Sequence, residues 1–113
     1  ALWIFDTDDG GNDTGWQAIG VKAGTAITKL EPTVVNPAAN TYQTMVVALH
    51  NDNARYFVRD ANENVVYDSG WQAAALTETV KLTPWIFGIT RNTSTKNIVI
   101  DYVNVWQRRT TSD

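Results

Sequence analysis

Thr44-Met45-Val46-Val47-Ala48-Leu49-His50, Asn51-Asp52-Asn53 and Ala54-Arg55-Tyr56-Phe57-Val58-Arg59 form the stretch whose reading decides the fold of this chain. Side chains on an extended strand alternate between two faces. In the first segment, read over residues 41–50, Met45, Val47 and Leu49 alternate with Thr44, Val46 and Ala48. Both faces are mostly apolar, which predicts a central strand. Asn and Asp tolerate left-handed backbone, so Asn51-Asp52-Asn53 reads as a tight turn. The second segment places Tyr56 and Val58 on one face and Arg55, Phe57 and Arg59 on the other. Asp60-Ala61-Asn62-Glu63-Asn64 then reads as a hairpin loop returning through Val65-Val66-Tyr67, before Asp68-Ser69-Gly70 breaks the chain again.

The same grammar extends in both directions. Leu2-Trp3-Ile4-Phe5 reads as a first strand, followed by a polar loop over residues 6–15. Residues 16–22 form a second candidate with Trp16, Ala18 and Gly20 on one face. Gly20 and Gly24 suggest a bulge or a close backbone approach. Pro32 and Pro37 confine any strand in residues 26–35 to an edge. Beyond Pro84, Trp85-Ile86-Phe87-Gly88-Ile89-Thr90 reads as a strand. Residues 97–107 form the longest and most β-branched one, with Ile98, Ile100, Tyr102 and Trp106 opposite Val99, Asp101, Val103 and Val105. No segment keeps a helical apolar stripe, and Ala73-Ala74-Ala75-Leu76 allows one helical turn at most. The expected fold is all-β, an antiparallel β-sandwich or jelly roll with little or no helix, as one domain over residues 1–113. Its expected core is Trp3, Phe5, Val47, Leu49, Tyr56, Val58, Ile86, Ile100, Tyr102 and Val105. The opening Ala1-Leu2-Trp3-Ile4, without an initiator Met, is expected of a processed chain or of one piece of a longer protein.

Composition narrows the function classes. The 113 residues are 43% hydrophobic and 19% charged, which suits a folded domain and argues against disorder. The net charge of −3 comes with scattered basic residues, so no nucleic-acid footprint is expected. No apolar run is long enough for a membrane helix, and no membrane insertion is expected. Cysteine is absent, which removes disulfides and thiolate chemistry.

Asp13-Thr14-Gly15-Trp16-Gln17-Ala18 returns as Asp68-Ser69-Gly70-Trp71-Gln72-Ala73, with one Thr-to-Ser difference. One reading is a duplicated opening of a strand, with Gly freeing the turn and Trp buried after it. The other is a pair of equivalent Trp-based binding sites. Trp16, Trp71 and Trp85 are therefore the candidate contacts for a carbohydrate or a partner.

Asp6-Thr7-Asp8-Asp9-Gly10-Gly11-Asn12-Asp13 crowds carboxylates around a glycine turn. Asp6, Asp8, Asn12 and Asp13 are candidate ligands for Ca²⁺, the only cofactor the sequence suggests. The match to an EF-hand loop is partial, since Gly10 and Gln17 stand where ligands would, and a solvated Asp/Gly loop is the alternative. Catalytic constellations are missing. His50 is the only histidine and reads as a strand end. Ser69, Ser94 and Ser112 read as loop residues, and Glu31, Glu63 and Glu78 lie far apart in sequence. Asp101, in mid-strand, would need a partner such as Arg55 or Arg91. The protein is expected not to be an enzyme.

These pieces, taken in order, resemble the concanavalin A-like lectin/glucanase sandwich. Residues 42–67 look like its strand and short turn, and Leu82-Thr83-Pro84-Trp85 looks like a proline-bearing lead into the next strand. Ile98-Val99-Ile100-Asp101-Tyr102-Val103-Asn104-Val105-Trp106-Gln107 is similar to the closing strand of laminarinase-like members. The catalytic Glu-x-Asp-x-Glu strand of the family's glucanases has no counterpart, so that activity does not carry over. The chain is also much shorter than is usual for this fold. The closing strand is similar to those of non-catalytic domains of tailed-phage virion proteins, and the Asp-Thr/Ser-Gly-Trp-Gln phrases resemble phage structural proteins. The resemblance implies an oligomeric, virion-associated structural domain, such as a capsid decoration, tail fibre or tail-associated module. Its expected partners are other virion proteins, copies of itself or a host-surface glycan. The alternative is a carbohydrate-binding or lectin-like domain of a secreted bacterial protein.

Overall fold

The computed structural model describes residues 1–5, 15–30, 32, 36–77, 79–86, 88, 93, 95 and 97–107. Among them the chain is all-β, with six strands and no helix. The strands are β1 (Leu2–Ile4), β2 (Gln17–Lys22), β3 (Thr25–Leu30), β4 (Thr44–His50), β5 (Asn53–Arg59) and β6 (Val65–Gln72). They form two three-stranded antiparallel sheets in the orders β1-β2-β3 and β4-β5-β6. The chain divides into two compact units, Ala1–Val80 and Lys81–Asp113, and all six strands belong to the first.

Each hairpin follows from its turn residues. Between β2 and β3, Ala23 and Gly24 both take positive φ (51° and 79°), the twist a two-residue hairpin requires. Asn51 at φ 53° turns β4 into β5. The β5–β6 loop is organised by Asp60, whose Oδ1 accepts the backbone N–H groups of Asn62 (2.8 Å) and Asn64 (3.0 Å). Its own N–H donates to the Asn64 carbonyl at 2.9 Å, closing the loop. These local bonds lower the Asp60 carboxyl below its ordinary value, the Asn64 N–H first among them.

The core lies in the first unit and is fed by both sheets. Strand β5 alternates as its sequence predicts, with Ala54, Tyr56 and Val58 fully buried. Ala18, Ala54, Tyr56, Ala75 and Leu76 form the central cluster, and Ala1, Trp3, Leu30 and Val47 pack against it. Trp3 meets Tyr56 and Tyr67 edge-on at 5.8 and 5.9 Å between ring centroids. Such aromatic pairs contribute about 1 kcal/mol each beyond the area they bury. The Trp3 indole also donates to the Val46 carbonyl at 3.1 Å.

Gly20 and Ala75 join β2 to the segment after β6. A Cβ at Gly20 would stand 2.7 Å from the Ala75 Cα, so only glycine permits this approach. The register shifts between Gly20 and Val21, and the Val21 N–H donates to the Ala75 carbonyl at 3.0 Å. The Ala75 N–H in turn donates to the Asp52 carbonyl at 2.8 Å. Lys22 pairs with the Asp52 side chain at 2.8 Å, across the same junction. The bulge expected from the glycine positions is thus the point where small residues let two backbones meet.

Several expectations are corrected. Strand β4 lies at a sheet edge, not at its centre. Two apolar faces do not require a ladder partner on both sides, and the Val46 carbonyl accepts the Trp3 indole N–H at 3.1 Å. Strand β3 lies at a sheet edge, as expected, and ends at Leu30 before Pro32. Of the expected core, Tyr56 and Val58 are fully buried and Trp3 and Val47 are half-buried. Phe5, Leu49, Ile86, Ile100, Tyr102 and Val105 are exposed. Residues 97–107, and the described residues of the segment following Pro84, carry no strand. Alternation specifies two apolar faces, but a strand exists only as one side of a hydrogen-bonded ladder.

Candidate functional site

The three candidate tryptophans have different surroundings. Trp16, just before β2, is half-buried, and its Nε1–H donates to the Gln43 Oε1 at 3.0 Å. Its ring lies 5.6 Å from that of Phe5. Trp71, near the end of β6, is 50% exposed. Trp85 belongs to the second unit and is 80% exposed. Asp6, Asp8, Asn12 and Asp13, the candidate Ca²⁺ ligands, lie outside the described residues. Among the described residues no group of three or more acidic or histidine side chains could hold a metal ion.

The neighbours of Trp71 follow from strand register. Paired residues in antiparallel strands share a face. Arg55 stands opposite both Trp71 and Ala48, and Asn53 opposite His50. These residues therefore lie on the sheet face turned away from buried Tyr56 and Val58. The Arg55 Nε donates to the Asp68 Oδ1 at 2.8 Å, and its Nη2 donates to Oδ2. The Gly70 N–H adds a third bond to the Asp68 Oδ1 at 2.9 Å. The guanidinium bonds first, and the Gly70 N–H second, pull the Asp68 carboxyl down to about 2. The His50 ring meets Trp71 edge-on at 6.1 Å between centroids.

A local irregularity sets this geometry. Ser69 lies within β6 rather than in a loop. Its hydroxyl accepts the Tyr56 N–H at 2.9 Å and donates to the Gly70 carbonyl at 2.6 Å. Gly70 follows at φ 64°, and the register shifts between Arg55 and Phe57. The bulge re-aims the end of β6 so that Trp71 comes opposite Arg55. The sequence singled out Trp71 but not its companions. Alternation in β5 could have placed Arg55 on the outward face, whereas the Asp68 pairing needs the bulged register.

The other polar residues singled out by the sequence have these surroundings. Asp101 is exposed rather than buried, and Arg55 is paired with Asp68 instead. His50 ends β4 and is exposed. Tyr56 is fully buried, and desolvation pushes its phenol up to about 12. Its hydroxyl has no partner among the described residues. In the second unit, Leu82, Trp85, Ile86, Ile98, Val99, Ile100, Tyr102, Val103, Val105 and Trp106 all expose half of their surface or more.

No protein-family model matches the chain. No curated protein and no solved structure matches it either.

Proposed function

We propose that this chain is a non-catalytic structural domain of a virion that works by assembly, docking on copies of itself or on other virion proteins. The observation that carries this reading is the apolar surface of the second unit. On residues 97–107, Ile98, Val99, Ile100, Tyr102, Val103, Val105 and Trp106 are all exposed. A concentration of exposed apolar side chains in one segment is the kind of surface that interaction sites use. At roughly 150–250 Å² for a whole aromatic side chain, these residues together approach the ~800 Å² per partner of a stable interface. The virion setting is supported by the likeness of residues 98–107 to the closing strand of phage structural domains, and the particle would then be the protein's location. A concanavalin A-like sandwich or jelly roll is the finer architecture that accompanies this reading. It is supported by two antiparallel sheets that contribute to one apolar cluster.

The test is the mass of the full chain in solution, by light scattering across a concentration series, for the wild type and for Val103→Asp. A concentration-dependent oligomer that Val103→Asp reduces to monomer is the expected result. A wild type that stays monomeric throughout, alone and when mixed with its virion neighbours, overturns the reading.

A further inference from the structure

We propose that residues 97–107 of one copy add as a strand to the open edge of β4 in a second copy, so that assembly proceeds by strand donation from molecule to molecule. The inference rests on the assembly reading and names the surface on which that segment docks.

A comparison of the sheet edges singles out the acceptor. Strands β1, β3, β4 and β6 each have a ladder partner on one side only. An edge strand exposes a row of backbone donors and acceptors, and folded proteins blunt it by shortness, bulges, charge or proline. Strand β1 has three residues. The β2–β3 ladder shifts register between Gly20 and Val21, and β6 carries Asp68 and the irregularity at Gly70. Strand β4 has none of these devices. It pairs with β5 over all seven of its residues without a shift, and it holds no Asp, Glu, Lys, Arg or Pro. Outside that ladder its backbone takes one hydrogen bond among the described residues, from the Trp3 indole to the Val46 carbonyl.

Burial points the same way. Met45, Val47 and Leu49 stand opposite Val58, Tyr56 and Ala54, and so share their face. The three β5 residues are fully buried, whereas Met45 and Val47 are half-buried and Leu49 is 45% exposed. Cover falls away beyond β4, where a further strand would supply it.

The donor has the complementary defect. Residues 97–107 alternate as a strand does, contain neither Pro nor Gly, and lie exposed without a ladder. An extended segment and an open edge satisfy each other through the main chain, while alternate side chains set the fit. Asp101 is the only charged residue of the segment, and burying it without a partner is costly. Ile98, Ile100 and Tyr102 therefore extend the row of Met45, Val47 and Leu49. Val99, Asp101 and Val103 then join Val46 and Ala48 on the opposite side. Each copy carries one donor and one acceptor, so the contact is heterologous and builds rings or chains.

The absence of cysteine lets introduced cysteines report this contact. Full-length Ala48→Cys is mixed with Val99→Cys, Asp101→Cys or Val103→Cys under mild oxidation, and separately with Ile98→Cys, Ile100→Cys or Tyr102→Cys. A disulfide needs Cβ atoms that are close and face each other. Mixed covalent dimers are expected within the first set and not within the second. Val103→Pro and Asn104→Pro supply a readout that a contact through side chains alone would not move. Neighbouring N–H groups point to opposite sides of a strand, so one of the two variants takes a bond from the ladder while the segment stays apolar. That variant should weaken assembly about tenfold or more in light scattering, with the strand signal of the monomer retained. In the wild type, the infrared strand signal should rise with concentration.

Strand donation is overturned if both proline variants assemble like the wild type. It is equally overturned by cysteine coupling that is absent or lacks the alternation, or by Ala48→Cys coupling chiefly to itself. In each of these cases a wild type that still assembles leaves the assembly reading standing. A wild type that is monomeric alone also ends strand donation, and the assembly reading then falls only if mixing with virion neighbours leaves the mass unchanged.

Discussion

Gly15-Trp16-Gln17-Ala18 and Gly70-Trp71-Gln72-Ala73 repeat the same four residues, yet the fold uses them at opposite ends of a strand. In the first region Gln17 opens β2, and in the second Gln72 closes β6. Trp16 is hydrogen-bonded to Gln43 and packed by Phe5, while Trp71 stands half-exposed above an Arg–Asp pair. Ala18 is completely buried opposite Trp3 and Leu30, while Ala73 is exposed. Gln17 is buried, whereas Gln72 is partly exposed and bonds back to the Ser69 carbonyl at 2.7 Å. The phrase therefore marks neither a repeated strand opening nor a pair of equivalent sites. An extended backbone with a glycine is all it specifies, and neighbouring segments decide which tryptophan is packed and hydrogen-bonded and which is left half-exposed.

Substitution at the two tryptophans gives the largest expected contrast. Trp16→Ala should cost about 3 kcal/mol, because it empties packed volume and strips the Gln43 amide of its partner. Trp71→Ala should cost less than about 1 kcal/mol, since half of the ring already faces water. Urea melts of both variants measure this, and equal losses would break the contrast. Next in size are the small residues. Ala18→Leu should destabilise by about 2 kcal/mol through overpacking, whereas Ala73→Leu should stay within about 0.5 kcal/mol. Gly20→Ala belongs with the first group, because its new methyl would collide with the Ala75 backbone.

Gly70 provides a finer test of the second region. No atom lies within 4 Å of where its Cβ would be, so Gly70→Ala meets only the backbone penalty of φ 64°. That penalty is about 1 kcal/mol, visible as a lowered melting temperature without loss of strand signal. The smallest expected effect is on pH dependence. Asp68 is drawn from its ordinary 3.8 to about 2 by Arg55 and the Gly70 N–H. The folded carboxylate thus binds its proton more weakly than the unfolded one. Its stabilisation is complete above about pH 4 and disappears as pH falls towards about 2. Asp68→Asn should flatten the thermal-stability profile between those values, with the variant melting lower than the wild type near neutrality and the two converging towards about pH 2.

The sequence by itself determined what depends on neighbours along the chain. Period-two alternation in β5 sorted Tyr56 and Val58 from Arg55, Phe57 and Arg59, and the Asn51 and Asp60 turns followed from side chains that satisfy nearby backbone groups. The all-β class needed nothing more. The outward position of Arg55 was already implicit there, and so was the interest of Trp71. Only tertiary structure decided which side of each strand would be covered. It put β4 at an edge, brought Gly20 against Ala75, and assigned opposite fates to Trp16 and Trp71. The small residues Ala18, Ala54 and Ala75 became core while bulkier Ile100, Tyr102 and Val105 did not. Bulk and alternation state how much apolar surface a segment offers. Burial and strand pairing depend on what arrives from distant chain, so they are set by contacts that no local pattern encodes.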